Sequence, residues 1–97
     1  MIKLHPTSVT ETSGEELGRQ IGALRYDKLV EVITGIKKEI LRQQIGDAVR
    51  GYTELSTVLG EMHQSLSSTQ YWCKESVDIC KKYIEAEKTE NERNQPA

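Results

Sequence analysis

Apolar residues recur along most of this chain at steps of three and four, the spacing that lines one side of an α-helix. Leu17, Ile21 and Leu24 form the first run, and Tyr26, Leu29, Ile33, Ile36 and Ile40 form the second. The phase slips between Leu24 and Tyr26, so either Asp27 caps a new helix there or one curved helix rotates its apolar side. From Ile45 onward the pattern becomes a seven-residue repeat. Ile45, Tyr52, Leu59, Leu66, Cys73 and Cys80 hold one register; Ala48, Leu55, Met62, Thr69, Ser76 and Tyr83 hold the register three residues later. Two such registers describe the seam of a helix facing another helix. The predicted fold class is all-α, with well over half the residues helical and no sheet. Its architecture is an antiparallel helical bundle of three to four helices, or a long helical hairpin that dimerises.

The punctuation of this pattern sets the boundaries. Ser13-Gly14-Glu15-Glu16 reads as a capping box, with Ser13 accepting from a backbone N–H of the first turn and Glu16 reaching back to the cap. Gly46-Asp47 is the best turn signal, a glycine able to close one helix and an aspartate able to cap the next. Ser65-Leu66-Ser67-Ser68-Thr69-Gln70 is rich in residues that prefer caps and turns, and Ser67 with Gln70 could form another capping box. A break there predicts helices at about 27–45, 47–66 and 69–87, and it is the favoured version. Without it, one helix from 47 to 87 folds back on a shorter one. Residues 1–12, with Ile2, Leu4 and Val9 in a Thr/Ser-rich stretch around Pro6, read as an extended arm. Residues 13–88 are the helical domain, and 89–97 a polar tail expected to be disordered.

Composition narrows the picture further. A single domain of 97 residues, with 36% hydrophobic residues, no Phe and one Trp, has a thin core that self-association would supplement. The net charge of −2 argues against nucleic acid as the partner, since such binders carry a basic face. The longest cationic cluster is Lys37, Lys38 and Arg42, with Glu39 inside it. No apolar run is long enough to span a membrane, and no secretory signal pattern is present, so the expected compartment is the cytoplasm.

Candidate chemistry is sparse. Cys73 and Cys80, seven residues apart, lie about 10.5 Å apart along a helix axis, too far for a disulfide. Their spacing also misses that of structural zinc pairs. They are expected to be free thiols at core positions. His63 has no partner motif, and Glu61 stands two residues before it rather than the three of di-iron bundles. Glu15 with Arg19 and Asp78 with Lys82 suit exposed i,i+4 pairs. No nucleophile–base–orienter set and no glycine-rich phosphate loop is visible, so no enzyme, cofactor or metal site is predicted.

What stands out is the last helical stretch, whose apolar arc of Trp72, Cys73, Val77, Ile79, Cys80, Tyr83 and Ile84 is too broad for one neighbour. Trp72, Val77, Ile79 and Ile84 are the candidate interface residues. A lone Trp in a Phe-free chain is first of all a core anchor, however, and Tyr71 falls toward the polar back of its helix. The expected function is that of a non-catalytic helical protein–protein interaction module: a small cytoplasmic regulator or adaptor that forms a homodimer or binds another protein. The alternatives are a metal-binding or enzymatic bundle starting from His63, Cys73 and Glu61, or a nucleic-acid-linked regulator whose dimer assembles Lys37, Lys38 and Arg42.

Overall fold

The computed structural model describes His5 and residues 13–94. Three α-helices follow in order: α1 (Gly14–Gly22), α2 (Tyr26–Val49) and α3 (Thr53–Asn94). No strand occurs among the described residues, so the all-α class stands. The arm expected at 1–12 lies outside the described residues except for His5, as do residues 95–97.

Helix α1 starts where its cap predicts, with the backbone N–H of Glu16 donating to Ser13 Oγ at 3.2 Å. The reciprocal half of the box does not form. The Glu16 carboxylate accepts instead from Arg19 (Nε, 2.9 Å) and Gln20 (3.2 Å), because a guanidinium one turn away is a stronger, charge-assisted donor than a backbone amide. Arg19 is thereby paired with Glu16 rather than with the expected Glu15. The chain leaves the helix at residues 23–25, where the apolar phase slips. Asp27 does not cap α2; it sits in the first turn, accepting from Arg25 Nη2 at 2.8 Å.

Two expected boundaries are corrected. Gly46 and Asp47 remain inside α2, and the turn falls four residues later, at Arg50–Tyr52. Gly51 carries it, with φ +85°, a conformation that costs a glycine little and other residues more. The N–H of Gly51 donates to the Ala48 carbonyl (3.1 Å) and that of Tyr52 to the Asp47 carbonyl (2.9 Å), which closes the end of α2. The break expected at 65–70 does not occur either. Ser67 Oγ donates to the His63 carbonyl and Thr69 Oγ1 to the Ser65 carbonyl, both at 3.0 Å. The hydroxyls that compete for backbone groups are satisfied one turn back, within the helix. Helix α3 is therefore one piece of 42 residues, about 63 Å long, and it continues past residue 88.

The result is the long hairpin rather than a bundle with a broken second half. Helices α2 and α3 run antiparallel from the Gly51 turn, while α1 touches α2 and not α3. The radius of gyration is 19.5 Å, against about 13 Å for a compact chain of this length. The shortest extent is 14 Å, a single layer of helices. Among the described residues only Ile33, Leu59 and Cys73 are buried apolar side chains, and none is fully buried.

Candidate functional site

Helix α3 presents two lengthwise stripes, and both follow from its heptad. The seam toward α2 uses the register Leu59, Leu66, Cys73 and Cys80. Leu59 and Cys73 are buried there, and Leu66 and Cys80 are half-buried. Its companion register is not the one three residues after these positions, as the sequence suggested, but the one four after: Ser56, His63, Gln70, Val77 and Ile84. The first three are polar, and each is half-buried.

Two of these, Ser56 and Gln70, pair with polar groups of α2. Gln70 Nε2 donates to Thr34 Oγ1 at 2.7 Å, and Thr34 passes the chain on by donating to the Val30 carbonyl at 2.8 Å. Lys37 Nζ donates to Gln70 Oε1 at 3.1 Å, and Ser56 Oγ to the Gln44 carbonyl at 3.2 Å. Near the start of α2, Cys73 Sγ lies 3.5 Å from the Tyr26 carbonyl. Each pairing is satisfied only in one sliding register, so the seam fixes how α2 and α3 align. No buried side-chain polar atom is left without a partner among the described residues.

The second stripe consists of Leu55, Val58, Met62, Ser65, Thr69, Trp72, Ser76, Ile79 and Tyr83, again at alternating steps of three and four. Its large apolar members are exposed, from 36% at Leu55 to 66% at Trp72 and 68% at Tyr83. Right-handed helices that run in opposite directions bring equally rotated positions to the same side of the pair. Helix α2 therefore adds Leu29, Val32 and Ile36 to this side. The opposite side carries Thr34, Lys38 and Glu31 from α2 and Gln64, Ser67, Lys74 and Asp78 from α3. That side also carries the exposed Leu41, Ile45 and Tyr71, so the two sides differ in that the first holds the longer apolar stripe along α3.

The four candidate interface residues divide between these features. Trp72 and Ile79 stand on the outer stripe, so the reading of Trp72 as a core anchor is corrected: its position points away from α2. Tyr71, exposed beside it, meets the Trp72 ring edge-on with centroids 5.0 Å apart. Val77 and Ile84 instead line a groove of about 260 Å³ where Cys80 and Lys81 face Arg25, Tyr26 and Asp27. The outer stripe is the feature that sequence reasoning misplaced. Of its members, Leu55, Met62, Thr69, Ser76 and Tyr83 are assigned by the heptad to the intramolecular seam, while Trp72 and Ile79 are already candidate interface residues.

The outer stripe itself holds no charged residue. Glu39 accepts from Arg42 Nε at 2.9 Å and from Gln43 Nε2 at 3.1 Å. The Arg42 hydrogen bonds, then that of Gln43, with smaller contributions from the Arg42 and His5 charges, pull its carboxyl from 4.5 to about 2. Arg25 likewise lowers Asp27, and Arg19 lowers Glu16. Lys37 is turned into the seam and Arg42 is held by Glu39, so the cationic cluster of the sequence does not form one basic face. His63 and Cys73, ten residues apart on α3, are separated by about 15 Å along the axis. Glu61 lies on the exposed back. Among the described residues no three His, Cys, Asp or Glu side chains gather as a metal-holding group, and no helix is long and apolar enough to cross a membrane. Comparison with family models, curated proteins and solved structures gives no match.

Proposed function

We propose that this chain is a non-catalytic helical interaction module, a small cytoplasmic regulator or adaptor that self-associates through the apolar side of its hairpin. One observation carries the reading: Leu55, Val58, Met62, Trp72, Ile79 and Tyr83, interrupted only by the small Ser65, Thr69 and Ser76, line one exposed stripe on a chain that buries only three apolar side chains among its described residues. A stable monomer rarely exposes more than a few hundred Å² of contiguous apolar surface. Here the stripe is about 42 Å long and, with the contribution of α2, about 20 Å wide, or about 800 Å². That is the area one partner brings to a standard protein interface. The cytoplasm is the compartment that suits Cys73 and Cys80, two thiols placed two turns apart on one helix, where they cannot bond to each other.

Sedimentation equilibrium at micromolar concentration tests the reading. The expected species is heavier than the 11.0 kDa chain, and Trp72→Ala shifts it toward the monomer. A folded 11.0 kDa species that Trp72→Ala leaves unchanged in stability would overturn it.

A further inference from the structure

We propose that the partner on the outer stripe is a second copy of this chain whose α3 runs antiparallel to the first, with Met62 of one copy against Ile79 of the other and Trp72 against Thr69. This deepens the self-association reading and rests on it.

The argument starts from the order of residues along the stripe. Read from either end it runs large apolar, small polar, large apolar: Val58 and Met62, then Ser65, Thr69 and Ser76 around Trp72, then Ile79 and Tyr83. A two-fold axis between residues 70 and 71 superposes like on like. Val58 meets Tyr83, Met62 meets Ile79, and Ser65 meets Ser76. The bulky Trp72 meets the small Thr69, which alternates large and small in the layer nearest the axis, as well-packed layers do. A parallel arrangement would stack Trp72 on Trp72 and leave the serine layers in line.

Charge selects the register. Positions bordering the stripe on its outer edge are Glu54, Glu61, Ser68, Glu75 and Lys82. In the proposed alignment Glu61 of each copy lies two residues, about 3 Å along the axis, from the level of Lys82 of the other, giving one opposite-charge pair at each end. Sliding one heptad so that Tyr83 runs off against the Gly51 turn brings Glu61 within the same two residues of Glu75 instead. Like charges facing each other across an interface oppose that register.

Helix α2 does not supply an equivalent surface. It has 24 residues against the 42 of α3, and its share of the apolar side stops at Ile36, where the ionised Glu39 follows. Only another α3 matches the stripe along its full length.

A charge-swap experiment on the full chain tests the alignment. Met62 and Ile79 are each nearly half exposed in the single chain, so Met62→Lys and Ile79→Glu leave the hairpin seam intact. Each variant alone should form a homodimer about tenfold or more weaker than the wild type, because a charge is set against an apolar position. Mixed in equal amounts, the two should associate to within about threefold of wild-type affinity. In the mixed dimer the lysine introduced by Met62→Lys in one copy lies against the glutamate introduced by Ile79→Glu in the other, while the second Met62–Ile79 layer stays native. Sedimentation equilibrium reads the masses and circular dichroism the helicity. A wild-type chain that is monomeric overturns self-association itself. A dimeric wild type whose two variants fail to rescue each other, or stay as tightly dimeric as the wild type, overturns the alignment and leaves self-association standing.

Discussion

The seam and the outer stripe of α3 are built from the same heptad, yet they invert the usual division of labour. The seam, which holds the chain to itself, is half polar: Leu59, Leu66 and Cys73 alternate with Ser56, His63 and Gln70. The outer stripe, which the chain leaves open, carries Leu55, Val58, Met62, Trp72, Ile79 and Tyr83. Polar groups in a helix–helix seam contribute little net stability but oppose misalignment, because a shifted Gln70 would lose both Thr34 and Lys37. Apolar area contributes stability without direction. On the proposed self-association, this hairpin aligns itself through its seam and gains further stability when a second copy covers the stripe. Its stability should depend on protein concentration, as it does for dimers without a stable folded monomer.

The two sides should respond differently to truncation, and the seam should give the larger effect. Leu59, 6% exposed, is the best-buried apolar side chain among the described residues. Leu59→Ala removes its contacts with α2 and should cost about 2–3 kcal/mol, the lower end of the range for buried leucines because the core is shallow. Urea unfolding should show that loss at every protein concentration. Trp72→Ala comes next. In the single chain its ring is mostly exposed, and truncating it would change monomer stability little; at a dimer centre the same change costs about 2 kcal/mol of association. The midpoint should fall at low micromolar concentration and recover as concentration rises. A Trp72→Ala loss independent of concentration would break the comparison, by making the stripe part of a monomeric core.

The turn that joins the two helices offers a smaller and more local perturbation. Gly51→Ala forces a Cβ into a backbone with φ +85° and should cost about 1 kcal/mol. Nothing lies within 4 Å of that Cβ, so the cost is conformational alone. Because the turn precedes both stripes, association and stability should fall together, without the concentration signature of Trp72→Ala.

The periodicity of the chain shows its class and much of its layout. The apolar spacing finds the helices, the slip after Leu24 marks the α1–α2 junction, and Ser13 marks the start of α1. Three features are hidden for identifiable reasons. The turn at Gly51 competes with an equally plausible Gly46-Asp47, and only the closing bonds of Gly51 and Tyr52 choose between them. The stretch from Ser65 to Gln70 has weak helix propensity, but tertiary pairing of Gln70 and back-bonding of Ser67 and Thr69 override it. The third concerns the candidate site. Seam and stripe share the heptad, and hydrophobicity alone assigns Leu55 and Met62 to the seam. Finding Ser56 and Gln70 there instead requires knowing that α2 brings Gln44 opposite the first and Thr34 and Lys37 opposite the second.

The smallest expected effect belongs to Glu39, and it probes where the covered area ends. Its carboxyl is exposed to solvent, and Arg42, then Gln43, hold it at about 2, below the 4.5 of an unfolded chain. A lowered folded value means that its contribution to stability is fully present above about pH 4.5 and is lost as pH falls toward 2. Glu39→Gln should remove that slope while leaving stability at pH 7 nearly unchanged, since exposed ion pairs contribute little. The same group distinguishes two extents of the interface. If α3 pairs with α3 and the contact stops short of Glu39, dimer dissociation measured from about pH 7 to about pH 3 should be the same for wild type and Glu39→Gln. Were the second copy to lie across Glu39 as well, the ionised carboxylate would be desolvated on association. Dissociation of the wild type would then weaken as it protonates, and Glu39→Gln would dimerise more tightly at pH 7. Equal dissociation constants across that range confine the interface to the α3 stripe and the first turns of α2.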